Sequence, residues 1–192
     1  MASSPSPQAS ASVQERDNAL WRFVLPFYSR DGVSPACLTL QEKLGVDVNI
    51  LLFTIFAQVE RGILLERSDL EAIDALVRDW RSDVIQPLRR VRSRMKSGPS
   101  PAPSPITEPL RNRIKAAELE AEKIEIAMLA DWLDRQLHRS EHRTTDTRSI
   151  PLMVARYFLN TEGAFAPEVD AALDMLSQAM RDVSAAKSDH LS

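Results

Sequence analysis

Apolar residues along this chain recur at intervals of three and four and hardly ever at two. That is the period of one face of a helix, so the pattern predicts helices throughout and no strand. A first helix over about Asp17 to Arg30 carries Leu20, Phe23, Val24 and Phe27, with Pro26 inside it as a source of bending. Ser34-Pro35 reads as the start of a second helix, which Gly45 ends. Asp47 suits the cap of a third, running to about Arg61 before Gly62. The greasy stretch Val46 to Val59 is broken by Asp47, Asn49, Thr54 and Gln58 and falls short of the roughly 20 residues of a membrane span, so it predicts a core helix.

A fourth helix from Ser68 has the stripe Leu70, Ile73, Val77, Trp80, Val84, Leu88, Val91, Met95. The stripe holds its phase past Pro87, which predicts one rod kinked there and no chain reversal. Four prolines crowd Ser97 to Pro105, so residues 97–106 read as an extended linker inside the domain. Thr107 would cap the longest helix, about Glu108 to His138 and ~45 Å long. Its stripe Leu110, Ile114, Ala117, Ala121, Ile124, Met128 is spaced 4, 3, 4, 3, 4, a heptad seam in which two alanines admit a close partner helix. Trp132, Leu133 and Leu137 widen the apolar arc near its end. A short helix over Pro151 to Leu159 follows, then an amphipathic one from Pro167 with Val169, Ala172, Leu173, Leu176, Met180 and Val183. The expected architecture is all-α: a compact bundle of about six to seven helices, the long one docked along the kinked one and the last two packed near Trp132. Residues 1–14 read as a disordered arm, 15–186 as one helical domain and 187–192 as a frayed tail.

The stretch from Leu20 to about Arg135 resembles a family of small, uncharacterised proteobacterial proteins carried as a domain of unknown function. The residues behind the likeness are Leu20-Trp21-Arg22-Phe23, Tyr28, Gly32-Val33, Ala36-Cys37-Leu38, Leu40-Gln41, Gly45, Asp47-Val48-Asn49 and Leu51-Leu52-Phe53. Trp80, Pro87-Leu88-Arg89 and the Glu118-Leu119-Glu120 region extend it, and Phe56 departs from it where the family carries tryptophan. The resemblance implies membership of a bacterial family and no mechanism.

Composition narrows the chemistry. In 192 residues, 24 basic against 27 acidic side chains leave a net charge of −3, too mild to argue for nucleic acid or a membrane. The 5 glycines lie too far apart for a phosphate-binding loop, and 1 cysteine with 3 histidines supports neither a disulfide framework nor a structural zinc site. No cofactor is expected. Met1 to Ser12 has neither the basic nor the apolar region of a secretory signal, which with the lone Cys37 suggests the cytoplasm.

Three constellations stand out. His138, Glu141 and His142 match an inverted zinc-protease motif, a weak metal candidate at what reads as a solvated helix end. Arg89, Arg90, Arg92, Arg94 and Lys96 form a basic ridge suited to phosphates, although acids on the long helix could equally neutralise it. Gln41, Asp47 and Asn49 gather polar groups around one helix–helix turn, beside Trp21 and Tyr28; capping of helix ends accounts for them in preference to the alternative, a small-ligand pocket. Paired acids such as Glu118/Glu122 read as solvated faces. The sequence therefore favours a non-enzymatic protein that binds a protein partner or self-associates. Nucleic-acid or anion binding through the ridge is the alternative, and a metal-dependent hydrolase the remote one.

Overall fold

The computed structural model describes residues 19–96, 104–136, 146–160 and 163–190. Among these the chain is helical, with no strand. Helix α1 spans 19–28, α2 Val33–Leu44 and α3 Val48–Arg61. α4 (Arg67–Trp80) runs through a π-helical turn, Arg81–Ile85, straight into α5 (Gln86–Arg94). The long α6 covers Ser104–Asp134, α7 Ser149–Leu159 and α8 Pro167–His190.

α3 is the axis of the packing, with every residue from Ile50 to Val59 buried. Asp47 starts it by accepting the amides of Asn49 and Ile50 at 2.8 and 3.2 Å, and Gly62 ends it in the left-handed region at φ 65°. A full core side chain such as Phe53 contributes about 2–3 kcal/mol by leaving water. Around α3, α1 lays Leu20, Val24 and Phe27 into the core, as its spacing predicts. α6 packs against α3 and along the α4–α5 rod. The end helices sit elsewhere than expected: α8 lies chiefly on α2, and α7 among α2, α3, α4 and α8. Trp132 instead meets Phe53 of α3 edge-on, ring centroids 6.3 Å apart.

Several element ends also differ from expectation. α2 starts at Val33, because Gly32 at φ 81° makes the turn and its carbonyl accepts the first helical amide from Ala36. Pro35 then occupies the first turn, where a missing N–H costs nothing. α4 begins at Arg67, one residue before Ser68, with the Asp69 carboxylate accepting the Glu66 amide at 2.8 Å. α6 begins at Ser104, so Thr107 is not its cap and residues 104–106 of the expected linker are helical, Pro105 being tolerated in the first turn. α8 continues to His190, and Lys187 is tied to Glu60 at 2.5 Å, so the expected fraying beyond 186 is replaced by helix.

The seam of α6 is the largest correction. The line it buries runs Glu118, Ala121, Glu125, Leu129, while Leu110, Ala117 and Ile124 face outward. Glu118 takes a core position because α5 faces it with Arg89 and Arg92, and Glu125 one where α3 offers it the Asn49 amide.

Candidate functional site

The π turn before Pro87 sets up that exchange. Pro87 has no N–H for its helical bond and its ring crowds the carbonyl four residues back, Asp83. The chain accommodates it with i→i+5 bonding, Gln86 N–H reaching the Arg81 carbonyl. One extra residue per turn advances the face of everything downstream by about 100°. Ile85 is therefore buried, Val91 turns outward to 48% exposure, and Arg89 and Arg92 swing toward α6.

Within the turn, Arg81 bridges two helices. Its Nη1 donates to Asp47 Oδ2 at 2.9 Å and its Nη2 to Asp74 Oδ1 at 2.7 Å. Asp74 Oδ2 also accepts from Arg78 at 2.8 Å and from the Tyr157 hydroxyl of α7 at 3.0 Å. Burial alone would raise the Asp74 pKa, but these donors outweigh it and hold the carboxyl below its ordinary value. One guanidinium thus ties the start of α3 to α4, and one carboxylate ties α4 to α7.

Beyond Asp47 lies Glu125 of α6, 1% exposed. Its Oε2 accepts from Asn49 Nδ2 at 2.7 Å, and its Oε1 is buried without a hydrogen-bond partner. Burial first, then the neighbouring Asp47 carboxylate, push its pKa up to about 9. Burial and the adjacent Asp47 thus favour the protonated form of the Glu125 carboxyl.

Further along the seam, Glu118 receives Arg89 Nε at 2.9 Å and both Arg92 Nε and Arg92 Nη2, while Arg89 Nη2 reaches Glu122 at 2.6 Å. Burial works to raise the Glu118 pKa, yet the bonds from Arg92 and Arg89 bring it below normal. Glu122 is the weaker claimant: burial raises its pKa, and the Arg89 charge offsets only part of that. Trp80 completes the seam, donating to the Ala121 carbonyl at 3.0 Å.

Of the basic ridge, Arg89 and Arg92 are consumed by these acids, while Arg90, Arg94 and Lys96 are exposed. Glu118 is buried and Glu122 half-buried, and both pair with the ridge instead of forming a solvated face. Of the polar group at the turn, Asp47 caps α3 as the sequence predicts, but Asn49 bonds the Glu125 side chain and not a backbone group. Trp21 lies under the Lys123 ammonium of α6 at 5.7 Å, and Tyr28 and Gln41 are half-buried. Two surface depressions, about 450 and 360 Å³, lie elsewhere, one beside Asp31 and Met175 and one beside Phe23 and Phe56. His138, Glu141 and His142 fall outside the described residues; among those described, no three His, Cys, Asp or Glu are grouped to hold a metal. Cys37 is fully buried, and burial pushes its thiol up to about 12. No described helix is long and apolar enough to cross a membrane.

Sequence reasoning missed Arg81, Asp74, Tyr157 and Glu125. Only the match of Arg89 and Arg92, three apart, with Glu118 and Glu122, four apart, left a readable trace. A family model described as a protein of unknown function, DUF2390, matches residues 19–129. No curated protein and no solved structure matches the chain.

Proposed function

We propose that this chain, which belongs to the DUF2390 family of proteins of unknown function, is a non-enzymatic interaction protein whose working surface is the outer stripe of α6. The observation that carries this reading is an inversion. α6 turns glutamates inward and leaves Ile106, Leu110 and Ile124 76%, 51% and 48% exposed, with exposed Ala117 between them. Three large aliphatics along one line of one helix, with Ala117 midway between two of them, form an exposed apolar strip of the kind that marks a binding face. The groups a catalyst would use are spent on one another: Arg81 on Asp47 and Asp74, Arg89 and Arg92 on Glu118 and Glu122. The seam holds α6 rigid, so the strip is presented preformed and costs little ordering on binding.

A photo-crosslinking residue at Ala117, in cells that make the protein natively, tests the reading. Discrete adducts are expected at Ala117, absent from a control at exposed Glu42 and lost when Leu110 and Ile124 are both changed to Glu. Equal labelling at both positions, or none at Ala117, overturns it.

A further inference from the structure

The partner of that strip is legible in its symmetry. Ile106, Leu110, Ala117, Ile124 and Met128 are spaced 4, 7, 7, 4, the same read from either end. Met128 is half-buried and the other four are exposed, and all five fall within about 20° of one line on a 3.6-residue helix. A two-fold axis through Ala117 sets Leu110 of one copy opposite Ile124 of the other and Ile106 opposite Met128. Ala117 meets its own copy at the centre, where its small side chain lets the backbones come within about 8 Å.

The charges beside the strip obey the same axis. Arg113 and Glu120 are both exposed and lie on one flank, four residues before Ala117 and three after it, Glu120 Oε1 also accepting from Lys123 Nζ of its own helix at 2.8 Å. Antiparallel pairing brings that flank of each copy to the same side, with Arg113 of one copy and Glu120 of the other within about one residue of the same height, a 1.5 Å rise. Each dimer would therefore contain the contact twice. Parallel pairing about a two-fold axis sets this flank of the two copies on opposite sides of the interface, so the Arg113–Glu120 contact is not made. We infer that the α6 strip docks a second copy of this chain, antiparallel, on a two-fold axis at Ala117. The inference rests on the proposed interaction role and names its partner.

Sedimentation of the full chain over about 1–200 µM tests it, the range expected of a single helix pair burying less than a standard interface. The expected result is a concentration-dependent rise from 21.5 kDa toward twice that mass. Arg113→Glu and Glu120→Arg should each weaken the dimer about 10-fold, since each breaks two exposed ion pairs and creates repulsion, and the double variant should restore it. Ala117→Cys should oxidise to a covalent dimer while exposed Arg90→Cys does not; native Cys37 is buried and adds no background. A dimer in which the charge swap fails to rescue overturns the antiparallel register. A monomer at every concentration overturns self-pairing; crosslinks from Ala117 to a chain of another mass would still uphold the interaction role, so the two failures are distinguishable.

Discussion

Glu125 is a buried carboxyl whose ionisation opposes folding. Its folded pKa is about 9 against an ordinary 4.5, so the folded chain keeps the proton that the unfolded chain releases. Below pH 4.5 both states hold that proton and the group costs nothing. Above the unfolded value it subtracts stability progressively as pH rises toward the folded value. Glu125→Gln keeps an oxygen for Asn49 and supplies an amide donor toward Asp47 without an ionisable proton. The variant should match the wild type in urea midpoint at pH 4.5 and exceed it increasingly up to pH 8; parallel pH profiles would show that Glu125 is charged in the folded chain. Glu118 has the opposite sign. Its folded pKa lies below 4.5, so its stabilisation is present above the unfolded value and is lost as pH falls through the folded one. Glu118→Gln leaves Arg89 and Arg92 half-buried without their main acceptor. It should cost about 2–3 kcal/mol at pH 7, less than a fully buried pair because both arginines keep some water, and thermal unfolding at pH 7 and pH 3 should show the deficit shrink in acid.

Among the elements, the π turn decides which face of the α4–α5 rod meets α6. Deleting exposed Ser82 would return Arg81–Ile85 to α-helical pitch and rotate α5 back by about 100°. Val91 would turn in, Arg89 and Arg92 would leave Glu118 buried and uncompensated, and Arg81 would be drawn off Asp47. The expected loss is about 3 kcal/mol or more, against less than about 0.5 for Ser82→Ala at the same site, read from urea midpoints. Adding Glu118→Leu to the deletion should recover part of the loss, since it removes the stranded charge. The same turn marks where the face shared by this rod and α6 stops being legible, whereas the last helix again buries Val169, Ala172, Leu173, Leu176 and Met180 as its spacing predicts. Up to Trp80 the apolar stripe, the glycine ends at Gly45 and Gly62 and the cap at Asp47 all appear where residue type and spacing put them. Each depends on local chemistry alone. Val84 and Val91 continue the stripe in phase on paper, but one extra residue per turn leaves no mark in a pattern of hydrophobic positions. The displaced phase then made the α6 seam unreadable too. Glu118 and Glu125 look like surface residues until the cations and amides facing them are known, while Leu110 and Ile124 look like core residues until the face is found to be turned away. Asp74, Arg81 and Tyr157 come together from separate helices, and no spacing within one helix encodes such a meeting.

At the scale of the whole molecule two surfaces offer different modes of association, and ionic strength separates them. The strip on α6 is apolar along its length with an ion pair only at its flank, so pairing through it depends mainly on area withdrawn from water. Salt screens the flanking charges beyond about 8 Å at physiological strength and leaves the apolar term intact. The basic surface that remains after the seam takes Arg89 and Arg92 is Arg90, Arg94 and Lys96. Three cations can displace counterions from about three phosphates, so binding to DNA or RNA there would fall with a logarithmic salt slope of at most about 3. The chain's net charge of −3 opposes even that approach. Raising sodium chloride from 50 to 500 mM should change self-association less than about threefold, by sedimentation at fixed protein concentration. Over the same range, any retention of a fluorescent oligonucleotide, followed by anisotropy, should vanish and be matched by the Arg90→Ala/Arg94→Ala/Lys96→Ala variant at low salt. Self-association that collapses with salt, together with oligonucleotide binding that the triple variant abolishes, would move the working surface from α6 to the end of α5. Because those three side chains are exposed, the variant should keep the wild-type melting temperature within about 2 °C, so a loss of binding could not be ascribed to unfolding.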